Sequence, residues 1–83
     1  MTKFKKNNIY YIEWLDHTTC YYSWTKEKDI DISDWKCSTV GFFVKESKTS
    51  IFLALNKSAN IDEYGNLMQI LKSTIVKTKV VKL

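Results

Sequence analysis

The feature that most constrains the fold of this chain is the recurrence of apolar residues at every second position in several short segments. The pattern is clearest in residues 36–46 and 50–56, whose alternating side chains are Val40, Phe42 and Val44 in the first and Ile51, Leu53 and Leu55 in the second. A period of two predicts β-strands. In the second segment, Phe52 and Ala54 make the reverse side apolar as well, which predicts a central strand or one whose second face meets a partner.

Three further alternating segments complete a prediction of five short strands. They cover residues 9–15, 67–71 and 74–83, and the expected buried face of the first consists of Tyr10, Ile12 and Trp14. Side chains on one side of a strand are two residues apart, so the side chains of these three residues are expected to pack into one core.

The connections between these segments differ in length. Residues 16–35 have no sustained helical period and are predicted to form a long loop, whereas residues 45–49 form a short turn. Residues 57–66 are rich in Asn, Asp and Gly, which predicts a hairpin connection between antiparallel strands. Gly41 interrupts a strand, where a neighbouring backbone or a bulge is expected to approach closely.

This order of strands and loops is similar to that of the Src-homology-3-like small barrel. The prediction is an all-β fold, a small five-stranded antiparallel Src-homology-3-like barrel with a long loop after the first strand. An Sm-like or oligonucleotide-binding-like barrel is the alternative, because each also uses five strands. Residues 1–83 are expected to form a single domain with a modest core, in which residues 1–8 are frayed.

The charged residues restrict the choice of partner. All 13 basic residues are lysines, and the formal net charge is +4. Arginine is the usual bidentate reader of guanine and phosphate, so a sequence-specific nucleic-acid reader is disfavoured. The lysines concentrate at the two ends of the chain. If the terminal strands meet, they form a basic patch, which is either a solvated face or a site for phosphate or an acidic partner.

Aromatic residues indicate the candidate binding surface. Residues 10–24, YYIEWLDHTTCYYSW, are dense in Tyr and Trp. Trp24 and Trp35 lie near the ends of the long loop, where they either stack on a ligand or pin the loop onto the core. Tyr22, Trp24 and Lys72 are the candidates for a nucleotide ligand. The full set of predicted ligand- or partner-binding residues is Asp16, His17, Tyr21, Tyr22, Trp24, Trp35 and Lys72.

Catalysis is not expected from the polar residues. His17 and Cys20 lie close together beside Asp16, but a Cys-His nucleophile also needs an oxyanion hole and an orienting group, and structural zinc needs four ligands. With only two glycines, the chain has no glycine-rich phosphate loop. No catalytic residue, metal or cofactor is predicted.

The apolar runs are too short to span a membrane or to form the core of a signal peptide. The protein is therefore expected to be soluble and cytoplasmic, with no membrane partner. In that compartment Cys20 and Cys37 are predicted to be free thiols, whereas in a secreted protein they could pair.

Several short motifs extend the comparison to a family. They are Trp14-Leu15-Asp16, Trp24, residues 40–46 (VGFFVKE) and residues 70–75 (ILKSTI). Together they resemble a group of small bacteriophage proteins. The resemblance implies a phage accessory role in the cytoplasm of the host cell, exercised by binding host components such as defence factors or their nucleotide signals.

These observations lead to the prediction of a non-catalytic phage accessory binding protein. It is expected to engage a host protein or a small nucleotide ligand, to counter host defence, and to form a homo-oligomer. Two alternatives remain open. One is a small barrel that binds nucleic acid through the terminal lysines, which is less favoured because arginine is absent. The other is a structural adaptor of a phage assembly.

Overall fold

The computed structural model describes residues 3–16, 24–29 and 35–83, and the fold in these residues is all-β. Five antiparallel strands form one open sheet in the order β4-β3-β2-β1-β5. The strands are β1 (Ile9–Asp16), β2 (Trp35–Glu46), β3 (Ser50–Lys57), β4 (Tyr64–Leu71) and β5 (Ile75–Val81). The predicted all-β class and the five antiparallel strands are confirmed. β3 is an interior strand, as its two apolar sides predict.

Two single-turn 3-10 helices, Glu27–Asp29 and Lys72–Thr74, are the only helices in the described part of the chain. The second joins β4 to β5 at the predicted one-turn break. β4 begins three residues earlier than the sequence pattern predicts. Asn66 adopts a φ of 55°, and asparagine tolerates this left-handed conformation better than most residues. Tyr64 and Gly65, which the sequence pattern places in the hairpin connection, therefore still pair with β3.

The core lies on one side of the sheet. Tyr10 and Ile12 of β1 are buried, and Trp14 packs against them at the margin, so the predicted buried face of the first strand is confirmed. The other buried hydrophobic residues of this cluster come from β2, β3 and β4, and they are Phe43, Ile51, Leu53 and Ile70. Adjacent strands contribute to one cluster because paired residues point to the same face of a sheet.

The residues of β2 that face the core are not the ones that its alternating pattern predicts. Gly41 lies opposite the buried Tyr10, so the inward side of β2 carries Gly41 and Phe43, whereas Val40 is half exposed. A Cβ atom at Gly41 would lie 2.8 Å from the backbone oxygen of Ala54. The close backbone approach predicted at this glycine is confirmed. A register shift between Phe43 and Lys45 marks a bulge two residues further on.

Residues 3–8 contact the core, although the sequence predicts that this end is frayed. The ring of Phe4 stacks on Phe43 with centroids 5.0 Å apart and meets Tyr10 edge-on at 4.9 Å. Asn7, with a φ of 69°, turns the chain, and its backbone N–H donates to the carbonyl of Phe43 at 2.8 Å. Phe4 is the only apolar side chain between Thr2 and Ile9, a weak signal that the alternating pattern does not include.

Candidate functional site

The structure describes four of the seven predicted binding residues, namely Asp16, Trp24, Trp35 and Lys72. His17, Tyr21 and Tyr22 lie outside the described residues. Asp16 and Trp35 are direct partners at the end of the β1–β2 ladder, so pairing brings these two together. Trp24 is fully exposed, and Trp35 is 58% exposed. Both rings are therefore accessible to a partner.

Lys72 lies apart from this pair. Its ammonium group donates to Glu46 Oε1 at 2.6 Å, and its backbone N–H donates to the carbonyl of Thr49. Glu46 is the last residue of β2 and Trp35 is the first, so Lys72 and Trp35 lie at opposite ends of that strand. The Lys72 side chain is 15% exposed and its charge is compensated by Glu46. These contacts favour a structural role at the β2–β3 turn.

The outermost strand β4 has an unusual composition. Its sequence, YGNLMQIL, contains no charged residue, and Leu67, Met68 and Leu71 are each between 40% and 57% exposed. Leu67 pairs with Ala54, which pairs with Phe42, so an apolar row crosses three strands, and Ala54 in this row is buried. We call the exposed residues Leu67, Met68 and Leu71 the β4 surface. Its sequence signal is the lack of charge between residues 64 and 71.

The two ends of the chain meet because β1 pairs with β5. Ile9 lies opposite Val81, and Tyr10 lies opposite Val80. A cleft of about 380 Å³ opens beside this pair, and its walls are formed by Lys3, Lys5, Asn8, Tyr10, Thr78, Val80 and Lys82. We call it the terminal cleft. The basic patch expected if the terminal strands meet is present here.

A polar group on the opposite face of β1 is centred on Glu13. The Tyr11 hydroxyl donates to Glu13 Oε2 at 2.6 Å, and the Lys36 ammonium group lies 3.9 Å from Glu13 Oε1. This hydrogen bond, followed by the charges of Lys36 and Lys77, lowers the pKa of Glu13 despite partial desolvation. A carboxyl held ionised in this way suits an ion pair, whereas a general acid needs a raised pKa.

The described cysteine and metal-ligand residues form no cluster. Cys37 is a free, half-buried thiol opposite Trp14, and Cys20 lies outside the described residues. Within residues 3–16, 24–29 and 35–83, no group of three or more His, Cys, Asp or Glu side chains is arranged to hold a metal ion.

Comparison with known proteins assigns no relative to the chain. No protein-family model, curated protein or solved structure matches it significantly. Among the described residues, no helix has the length and apolar character needed to cross a membrane.

Proposed function

We propose that the protein is a non-catalytic binding domain with a Src-homology-3-like barrel, which acts by adding a strand of a partner protein to β4. The single observation that carries the proposal is the uncharged, exposed edge of the β4 surface. In line with the resemblance to small bacteriophage proteins, the partner is a host factor and the protein acts in the host cytoplasm to counter defence.

The strand arrangement supports the barrel part of the proposal. β2 and β4 lie on either side of β3, yet Thr39 of β2 donates a hydrogen bond to the sulfur of Met68 in β4 at 3.4 Å. This contact joins side chains of two strands that are not neighbours, which supports curvature of the sheet around β3. The bulge beside Phe43 and the close approach at Gly41 supply that curvature, since bulges and glycines let strands bend.

The chemistry of β4 supports the binding part. An edge strand presents unpaired backbone N–H and C=O groups, and proteins usually protect such edges with lysine, proline or a bulge. None of β4's eight residues is charged or proline. A peptide that pairs with β4 satisfies the free backbone groups, while Leu67 and Leu71 contact alternate side chains of the added strand.

Site-specific photocrosslinking in infected cells tests this proposal. A photoreactive residue at Leu67 should form a covalent complex with one partner, whereas the same residue at Lys79 on the β5 edge should not. Native mass spectrometry of the purified protein then identifies the partner as a host factor or a second copy of the chain. A homo-oligomer through β4 would replace the host factor in the proposal, and absence of any crosslink from Leu67 would reject binding at this edge.

A nucleic-acid-binding barrel is the second candidate, and the outward face of β1 and β5 favours it. Tyr11 lies opposite Lys79, and Glu13 lies opposite Lys77, so a half-buried tyrosine and two lysines share one face. Binding through these residues should weaken steeply as salt increases. Affinity for single-stranded DNA that is absent, or unchanged between 50 and 200 mM salt, would reject this candidate.

A further inference from the structure

We propose that the terminal cleft is a phosphate-binding site for a small ligand that carries a compact polyphosphate group, such as a nucleoside diphosphate or triphosphate. The site goes beyond the protein-binding role of the β4 surface and lies at the β1–β5 side of the sheet. Its residues also differ from Tyr22, Trp24 and Lys72, which the sequence predicts to bind a nucleotide.

The fold brings lysines from both ends of the chain to one cleft. The turn at Asn7 directs residues 3–6 back over the core, which carries Lys3 and Lys5 to the cleft wall. Pairing of Tyr10 with Val80 carries Lys82 to the same wall. Two segments that are distant in sequence therefore converge on one volume.

The charge of this cleft is uncompensated among the described residues. No carboxylate side chain is part of its wall. The ion pairs between described residues use Lys6, Lys36 and Lys72, so Lys3, Lys5 and Lys82 have no carboxylate partner there. Three lysines in the wall of one cleft give it a positive potential that attracts a multiply charged anion.

Tyr10 supplies a fixed hydrogen-bond donor in the same wall. Its side chain is 3% exposed and is held by contacts with Phe4 and Phe43. The Tyr10 hydroxyl accepts a hydrogen bond from the Lys5 backbone N–H at 2.7 Å. No described residue accepts the proton of this hydroxyl, and in the proposed site the hydroxyl donates it to a phosphate oxygen. A donor fixed by packing needs less ordering when the ligand binds.

The volume of the cleft is sufficient for a small ligand. A volume of about 380 Å³ is at the lower end of the roughly 300–1,000 Å³ range of small-molecule sites. A second basic cleft, of about 520 Å³, lies beside Lys48 and Lys72. There Glu46 already neutralises Lys72, so of these two clefts the terminal cleft is the one that combines several lysines without a described carboxylate partner with a buried donor.

Titration with inorganic pyrophosphate, followed by amide NMR shifts at low salt, tests the proposal. We expect saturable shifts at Lys5, Asn8, Val80 and Lys82. Because the double variant Lys5→Gln/Lys82→Gln removes two positive charges from the cleft wall, it should bind about tenfold more weakly. The control Lys48→Gln loses one exposed lysine of the other basic cleft and should change the affinity less than twofold. Absence of saturable shifts, or equal weakening in the control and the double variant, would overturn the site.

The tyrosine hydroxyl is tested separately from the lysine charge. Tyr10→Phe keeps the ring that packs on Phe4, and we expect about tenfold weaker pyrophosphate binding because a hydrogen bond to a charged group is lost. Tyr11→Phe removes a hydroxyl on the opposite face of β1 and should leave the affinity unchanged. If Tyr10→Phe retains the full affinity with an unchanged melting temperature, the hydroxyl is not a ligand and the site as proposed is wrong.

A final comparison distinguishes a small ligand from the backbone of a nucleic acid. We expect a twelve-nucleotide thymidine strand to bind no more tightly than pyrophosphate and to be displaced by it. If the strand binds much more tightly and Lys77→Gln weakens it more than Lys82→Gln does, the outward lysine face binds nucleic acid and the small-ligand assignment fails.

Discussion

The two edges of the sheet differ in how they are protected. β5 carries Lys77 and Lys79 among its seven residues, and charged side chains on an edge discourage pairing with another chain. β4 has no charge over eight residues and exposes Leu67 and Leu71. One sheet therefore combines a charged edge with an uncharged one, and under our proposal strand pairing is expected on the β4 side.

The largest expected effect tests how the β4 side is attached. Among the described strands β4 is paired only with β3, and at Gly41 the backbone of β3 leaves no room for a Cβ atom on β2. Gly41→Ala places a Cβ atom 2.8 Å from the Ala54 oxygen, and because backbone must move, we expect a loss of about 2–3 kcal/mol in the free energy of unfolding. Urea denaturation measures this loss.

Gly65→Ala is the matched control for this substitution. A Cβ atom at Gly65 would lie 3.4 Å from the Asn56 side chain, which is an ordinary contact. We expect a change within about 0.5 kcal/mol, or a slight gain. Equal losses in the two variants would contradict the role assigned to the close approach at Gly41.

The next effect concerns the β1–β5 side. Phe4 packs on Tyr10 and Phe43 without being fully buried, so Phe4→Ala should lower the free energy of unfolding by about 2 kcal/mol. Amide hydrogen exchange should accelerate more in β1 and β5 than in β4. Phe4→Leu, which keeps most of the apolar volume, should lose about half as much. Unchanged stability in Phe4→Ala would support the frayed amino-terminal segment that the sequence predicts.

Two variants test the difference between the edges: one removes the charges of β5, and the other adds charges to β4. Lys77→Val/Lys79→Val removes the protection of β5, and we expect sedimentation velocity to detect larger species because both edges then accept a strand. Leu67→Lys/Met68→Lys should abolish pairing at β4. Since these side chains are exposed, each substitution should change the free energy of unfolding by about 0.5 kcal/mol or less. A monomeric Lys77→Val/Lys79→Val variant would show that lysines do not protect β5.

The smallest effect depends on pH at the β1–β5 ladder. The lowered pKa of Glu13 means that its ionised form stabilises the folded state. This stabilisation is present above the pKa of the unfolded state and is lost as pH falls through the lower pKa of the folded state. Glu13→Gln should flatten the acid limb of the stability curve, measured by urea denaturation between pH 2 and 7. Tyr11→Phe should reproduce most of this change, because the Tyr11 hydrogen bond is the largest cause of the shift.

The sequence predicts local features of this fold better than long-range ones. The alternation of apolar residues gives five strands and the Tyr10 and Ile12 core face, since strand periodicity is a local property. The alternation does not predict which side of β2 faces the core. That side is decided by the pairing of Gly41 with Tyr10 and by the bulge after Phe43.

The same limit applies to the candidate sites. The sequence predicts that Lys72 binds a nucleotide. In the fold its charge is paired with that of Glu46, and sequence patterns do not predict this contact because the two residues are distant in sequence. The terminal cleft depends on the pairing of β1 with β5, which the sequence permits without requiring. The uncharged β4 edge is visible in residues 64–71, but its significance depends on β4 being outermost in the sheet.

The place of β1 in the sheet has a consequence for biosynthesis. Of the five described strands β1 comes first along the chain, yet it lies between β2 and β5, and β5 comes last of the five. During translation β2, β3 and β4 can pair in succession with their sequence neighbours, whereas one side of β1 stays open until β5 leaves the ribosome. Because such distant pairing slows folding, the five-stranded sheet should be complete only after β5 has left the ribosome, and a nascent chain stalled before Ile75 should remain sensitive to protease.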